Sequence, residues 1–268
     1  MDLKQLDSED RAVLEMAKDL ALRAGRIQRD RYETGVDVRT KSATIDLVTE
    51  VDHACEALIV GALEEERPQD AIVAEEGGGE DHPDREWRWV IDPLDGTTNY
   101  AHGFPRFCVS IGVEFRDETR VGVVYDPLLD ELFYAVRNAG AWLGERKLQV
   151  STTGDFGQAL IATGFSYDVH KSANDNVARF ARVLKAARGL RRDGSAALDL
   201  CYVAAGRLDA YWELKLHAWD VSAGSLIVQE AGGQVTDCEG GAAPRSGEEL
   251  VSSNGLLHDT LISYVKDQ

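Results

Sequence analysis

The stretch Trp89-Val90-Ile91-Asp92-Pro93-Leu94-Asp95-Gly96-Thr97-Thr98-Asn99 constrains the fold of this chain more than any other. An apolar strand delivers Asp92 at its end, and Pro93, with no N–H to donate, is expected to stop the ladder there. Asp92 and Asp95, around a tight turn, can aim both carboxylates at one point, with the Leu94 carbonyl between them as a third oxygen. Hard cations such as Mg²⁺ take such ligands. Gly96, Thr97 and Thr98 follow with N–H and hydroxyl groups suited to phosphate oxygens or an attacking water. By itself the segment reads equally as a turn, since Asp-Pro and Asp-Gly are ordinary turn dipeptides.

Two distant segments bear on that choice. Ile72-Val73-Ala74-Glu75-Glu76-Gly77 is a second short strand ending in carboxylates. Trp219-Asp220 opens an amphipathic helix carrying Val221, Ala223, Gly224, Ile227 and Val228, which ends at Glu230-Ala231-Gly232-Gly233. Alone, Asp220 reads as a helix N-cap. Together the segments supply Glu75, Asp92, Asp95 and Asp220, enough for a site with two or more metal ions. Charge fits the same picture. With 47 acidic against 29 basic residues the net charge is −18. Such a surface repels nucleic acid and anionic lipid, so neither is expected as a partner. Clustered carboxylates recruit divalent cations, which reverse the local field for a phosphate ester.

The 268 residues, 44% of them apolar, suit one large domain or two packed subdomains, with a boundary placed near residue 150. The expected halves are an α+β part over 1–150, carrying most of the metal ligands, and an α/β part over 151–268. Val13, Leu14, Ala17, Leu20, Ala21, Ala24 and Ile27 recur at helical spacing, predicting a helix over 8–33 capped by Ser8. Residues 35–48 read as irregular. A second helix starts near Thr49, with Thr49 and Asp52 at capping-box spacing. Strands follow at 71–74 and 87–91, then an antiparallel meander over 108–115, 120–125 and 131–136. Farther on, strands at 159–163, 189–192, 209–214, 234–236 and 250–253 interleave with helices at 173–187, 195–205, 220–231 and 256–266. Cys55, Cys108, Cys201 and Cys238 are scattered and read as reduced, mostly buried thiols. The N-terminus has no signal-peptide pattern, and no apolar run nears the roughly 20 residues of a membrane span, so a soluble cytoplasmic protein is expected.

The chain resembles the inositol monophosphatase family of Mg²⁺-dependent, lithium-sensitive phosphatases. Lys41-Ser42-Ala43-Thr44-Ile45-Asp46-Leu47-Val48-Thr49-Glu50-Val51-Asp52 is similar to the family's first motif. Glu75-Glu76, Asp92 to Thr98, and Trp219-Asp220 through Gly233 are similar to the next three, in order and spacing. Asp193-Gly194-Ser195-Ala196-Ala197 and Asp209-Ala210-Tyr211-Trp212-Glu213 resemble its substrate-side segments.

The resemblance implies a mixed α/β and α+β fold, layered α-β-α-β-α, as in inositol monophosphatase and fructose-1,6-bisphosphatase. It implies one Mg²⁺ on Glu75, Asp92 and the Leu94 carbonyl, a second on Asp92, Asp95 and Asp220, and a weaker third near Glu75. Two metals roughly 3.5–4 Å apart can stabilise both attacking and leaving oxygens of an in-line displacement. The implied nucleophile is a metal-activated water, oriented by Thr97 with Asp52 behind it and Glu75 nearby. Implied substrate contacts are Gly96 and Thr98 at the phosphate, with Gly194, Ser195, Ala196 and Glu213 around a polyol. Asp46 is expected near a metal-bound water and Lys41 in a loop over the site; a solvated Lys41 is the other reading. The loop Phe165 to His170 is expected to tune specificity. Arg191 and Arg192 read as phosphate contacts or as surface pairs. The implied activity is hydrolysis of inositol 1-phosphate by a homodimer. Fructose 1,6-bisphosphate, histidinol phosphate or a 3′-phosphonucleotide are alternative substrates on the same core, and a non-catalytic interaction role is a different class.

Overall fold

A computed structural model of the chain describes residues 6–35, 38–40, 47–79, 81–82 and 84–266. Lys41 and Asp46 lie outside the described residues. Helix α1 (Ser8–Arg31) buries the stripe Val13, Leu14, Ala17, Leu20, Ala21 and Ala24. Its cap is Asp7 rather than Ser8, because the Asp7 carboxylate accepts the Asp10 N–H at 2.7 Å. Strands β1 (Val38–Thr40) and β2 (Leu47–Thr49) pair antiparallel within the segment read as irregular. All three residues of β1 are exposed, so no alternation marks it in the sequence. Helix α2 (Glu50–Glu66) opens on the expected capping box of Thr49 and Asp52.

A seven-stranded sheet follows, in the order β3 (Ala71–Ala74), β4 (Trp87–Asp95), β5 (Cys108–Phe115), β6 (Glu118–Asp126), β7 (Glu131–Val136), β8 (Gly140–Leu143) and β9 (Arg146–Lys147). The β3–β4 pair is parallel and the others are antiparallel. Strands β8 and β9 escape sequence reading because β9 has two residues and β8 shows no alternation of buried and exposed positions. A short helix α3 (Thr97–Ala101) sits between β4 and β5. Side chains alternate across the sheet. Val109, Ile111, Val113, Val121, Val123 and Tyr125 pack under α1 and α2, while Phe133 and Ala135 face the opposite way.

The second sheet has the order β11-β10-β12-β14-β13, built from β10 (Leu160–Thr163), β11 (Gly189–Arg191), β12 (Ala210–Leu214), β13 (Gln234–Thr236) and β14 (Glu249–Ser253). Helices α5 (Ala196–Ala204) and α6 (Ala218–Glu230) fill the space between the sheets. Helices α4 (Val177–Ala186) and α7 (His258–Val265) cover the outer face, with Val183, Leu261 and Val265 on Ile161, Trp212 and Val251. The result is the expected α-β-α-β-α layering. Helices α4 and α7 start later than the periodicity suggested, and α6 starts two residues earlier, at Ala218. All four cysteines are buried free thiols. Among the described residues no helix is long and apolar enough to cross a membrane.

The middle layer lies very close to the first sheet at Gly122. A Cβ there would stand 2.6 Å from the Ala223 carbonyl oxygen of α6. Gly122→Ala must push backbone from backbone, which costs about 1–3 kcal/mol. A lowered urea midpoint at unchanged m-value is the expected result.

Candidate active site

The parity of β4 brings the carboxylates together. In a regular strand, residues an odd number apart point to opposite faces, which would separate Asp92 from Asp95. Asp92 pairs with Ser110 and Asp95 with Cys108, so β4 holds one residue more than β5 over this interval. That bulge restores the parity, and both carboxylates emerge on one side. The strand therefore runs on to Asp95 rather than stopping at Asp92. Pro93 is tolerated because its missing N–H falls within the bulge. The Pro93 carbonyl accepts Nε2 of Gln28, a fully buried residue of α1, at 2.8 Å, and the same nitrogen reaches the Cys108 carbonyl at 3.2 Å.

Asp92, Asp95 and Asp220 each offer an oxygen within 4.8 Å of the other two. Three fixed carboxylates converging in a cleft are a hard, all-oxygen donor set, which fits a divalent cation. Each is held from outside the cluster. Asp95 Oδ2 accepts from Ser195 Oγ at 2.6 Å and from the Ala197 N–H at 2.8 Å, at the start of α5. Asp220 is not the N-cap of α6. It sits in the first turn and accepts the His217 N–H at 2.6 Å. Asp92 Oδ1 accepts the Leu94 N–H at 2.9 Å. Glu75 extends the β3–β4 ladder, its N–H donating to the Ile91 carbonyl at 3.1 Å. The turn after it is fixed by Glu56 of α2, whose carboxylate accepts the N–H groups of Glu76 and Gly78 at 2.8 and 2.9 Å.

Thr97 stands at the first position of α3, after Gly96 with φ +98°. A Cβ on Gly96 would lie 2.8 Å from the Arg106 carbonyl, so glycine is needed twice over. Thr97 Oγ1 lies 2.9 Å from Asp52 Oδ1 and 3.0 Å from the Leu94 carbonyl. Asp52 is fully buried, and its other oxygen accepts Thr49 N–H and Oγ1 at 2.9 and 2.6 Å. The helix-cap role and the site role thus occupy different oxygens of one carboxylate.

One cavity is lined by Glu75, Asp92, Leu94, Asp95, Gly96, Thr97, Thr98, Gly194, Ser195, Ala196, Glu213 and Asp220. Of the residues expected as metal ligands, water-orienting groups or polyol contacts, all but Asp52, which backs Thr97, and the undescribed Asp46 are on its wall. Ser195 is there, but its hydroxyl is committed to Asp95. Glu213 accepts Tyr211 Oη at 2.6 Å, and burial raises its carboxyl to about 7. Arg192 joins the lining and Arg191 does not; the latter donates to the Leu190 carbonyl. Gln28 and Glu56 were missed, although each is a polar residue at helical spacing on a buried stripe (Ala24 to Gln28, Asp52 to Glu56). Lys215, also on the wall, has no sequence signal beyond its nearness to Glu213.

Burial is the first cause of the raised carboxyls. It holds Asp92 and Asp220 well above the ordinary range, aided by the charges of their neighbours, and lifts Asp52 to about 6 against hydrogen bonds from Thr49 and Thr97. A carboxyl raised on folding stabilises the fold below its unfolded pKa, and that stability is lost as pH rises through the folded value. A cation competes with the same protons. The gain in Tm on replacing EDTA with a divalent cation should therefore be small near pH 5 and reach roughly 5 °C or more near pH 8. A gain that shrinks as pH rises would contradict the cation reading of this cluster.

The model of the inositol monophosphatase family matches residues 9–268. The inositol-1-monophosphatase of Synechocystis sp. is 42% identical over 248 residues, 92% of this chain and 86% of that one. The Nus factor SuhB of Escherichia coli (strain K12) is 40% identical over 258 residues, 96% of each chain. The solved inositol monophosphatase from Anabaena (Nostoc) has a TM-score of 0.86 at 39% identity, covering 95% of both chains. With the fold, the cavity and these similarities in agreement, the chain belongs to the inositol monophosphatase family, a family of phosphatases.

Proposed function

We propose that this protein is a Mg²⁺-dependent phosphomonoesterase that hydrolyses inositol 1-phosphate by direct attack of water on phosphorus. One observation carries the reading: a single cleft holds the Asp92, Asp95 and Asp220 cluster, the Thr97–Asp52 pair beside it, and Glu213 on the same wall. Glu75, Asp92, the Leu94 carbonyl, Asp95 and Asp220 would hold two to three Mg²⁺ ions. Bound there, Mg²⁺ supplies charge neutralisation for the phosphate and a lowered pKa for water.

The chain's own groups do the rest. Asp52, ionised at neutral pH, accepts a hydrogen bond from the Thr97 hydroxyl, leaving the lone pairs of the Thr97 oxygen to accept one from the attacking water. Glu75, on the same cavity wall, would share in taking a proton from that water. Gly96 and Thr98, at the start of α3, offer N–H groups to the phosphate. Gly194 and Ala196 present backbone to the polyol, and Glu213 can accept from two neighbouring hydroxyls. Ser195 serves through Asp95, which it holds in place.

Phosphate release from inositol 1-phosphate, fructose 1,6-bisphosphate, histidinol phosphate and a 3′-phosphonucleotide, with Mg²⁺, EDTA or lithium, tests the reading. Release from inositol 1-phosphate that needs Mg²⁺ is expected, and no Mg²⁺-dependent release from any of the four overturns it. Glu213→Gln should lower kcat/KM for inositol 1-phosphate by about tenfold while sparing glycerol 2-phosphate, which has no two neighbouring hydroxyls. Equal loss on both would refute the polyol contact. The Nus factor name of the Escherichia coli relative favours a second reading, a macromolecular partner in addition to hydrolysis. Capture of the same partner by wild type and by Asp95→Asn would support it.

A further inference from the structure

Lys215, one residue beyond β12, has a left-handed backbone with φ +59°, a conformation uncommon for any residue with a Cβ. Its ammonium lies 2.8 and 2.6 Å from the two Asp168 oxygens and 2.6 Å from Ser172 Oγ. Its own N–H donates to the Glu248 carbonyl at 2.5 Å, so the base of this contact is fixed. Asp168 and Ser172 belong to the segment after β10, whose first residues, Gly164 to Tyr167, line the cavity. That segment is also fixed at its root. Asn176 Nδ2 donates to the Gly164 carbonyl at 2.8 Å, and a Cβ on Gly164 would stand 2.1 Å from both carboxylate oxygens of Glu213. Between the two anchors only Phe165, Ser166 and Tyr167 span the gap, and Ser166 Oγ donates back to Asp168 at 2.5 Å.

We propose that the Lys215–Asp168 latch sets the size of substrate the cavity accepts, by holding Phe165 to Tyr167 beside Glu213 so that small polyol phosphates are favoured over bulkier phosphate esters. This role rests on the phosphomonoesterase reading above. The Lys215 and Asp168 side chains are 32% and 51% exposed, and a pair so exposed holds weakly. The latch therefore restrains the loop without locking it, and its effect falls on selectivity more than on stability.

Lys215→Gly and Asp168→Ala each break the pair, and glycine suits the left-handed backbone, so the first variant should fold. The ratio of kcat/KM for inositol 1-phosphate to that for adenosine 2′-phosphate should fall about tenfold in each. The double variant should fall no further than either single one, because both remove one contact. Hydrogen exchange should quicken at Val169, Lys171 and Ser172, whose N–H groups close on Ser166 and Asp168 carbonyls. An active wild type with an unchanged ratio in both variants, additive losses, or unchanged exchange overturns the latch alone. A wild type inactive on both esters overturns the size role, and one inactive also on the other phosphates above overturns the phosphatase reading with it.

Discussion

Asp95→Asn should lower kcat by about three orders of magnitude, or about 4 kcal/mol of transition-state stabilisation, while the metal-free protein melts no lower than wild type. The two effects have opposite signs because Asp95 belongs to two systems. As a member of the carboxylate cluster it is repelled by Asp92 and Asp220, and its charge is buried. Asparagine removes that repulsion and one desolvated charge. As a hydrogen-bond acceptor, Asp95 anchors the start of α5 through Ser195 Oγ and the Ala197 N–H. Asparagine keeps an oxygen for those donors, so α5 should stay docked. The cation-dependent rise in Tm should be much reduced, since a neutral amide binds Mg²⁺ more weakly than a carboxylate. Calorimetry with and without Mg²⁺, beside steady-state kinetics, separates the two systems. A variant that keeps wild-type turnover would refute Asp95 as a ligand, and one that melts early without Mg²⁺ would show its main role to be structural.

The sequence made the ends of elements legible where a charge interrupts an apolar run. Asp92 after Trp89-Val90-Ile91 and Glu75 after Ile72-Val73-Ala74 could be read as site members only together and with Asp220, because Asp-Pro by itself is also an ordinary turn. The capping box of Thr49 and Asp52 was readable from spacing alone, whereas the approach of Asp52 to Thr97 rests on how α2 packs beside α3. Parity was not readable. Nothing in Asp92-Pro93-Leu94-Asp95 shows that a bulge supplies the extra residue, because the bulge is a matter of register against β5, and the carbonyl it frees at Pro93 is met by Gln28 from α1. The same limit hides Lys215 and Asp168, 47 residues apart in the chain and joined only through the loop between β10 and α4. Contacts that cross layers leave a polar residue in an apolar stripe at most, and at Lys215 they leave nothing.

Thr97→Ala should reduce kcat by about 10²–10³-fold, the range expected when a positioned proton acceptor is removed, with KM for inositol 1-phosphate nearly unchanged. The Thr97 hydroxyl has a single proton and two acceptors within reach, Asp52 Oδ1 at 2.9 Å and the Leu94 carbonyl at 3.0 Å. Either bond leaves the oxygen's lone pairs for the cavity, so the group accepts a hydrogen bond from water rather than donating one to it. Thr97→Ser keeps the hydroxyl and should recover most of the rate. A serine variant as slow as alanine would show that the methyl group, not the oxygen, is what matters. Asp52 gives the pair its pH dependence. Its carboxyl titrates near 6, with burial the largest cause, so the rate should fall as pH drops through that value and the carboxylate loses its charge. Asp52→Asn should be slow at every pH and lose the acid limb near 6, because its amide can donate to Thr97 and reverse the direction of the bond. If the limb survives in Asp52→Asn, the titrating group is another member of the cleft, and Asp52 serves only as the partner of Thr49 in the capping box of α2.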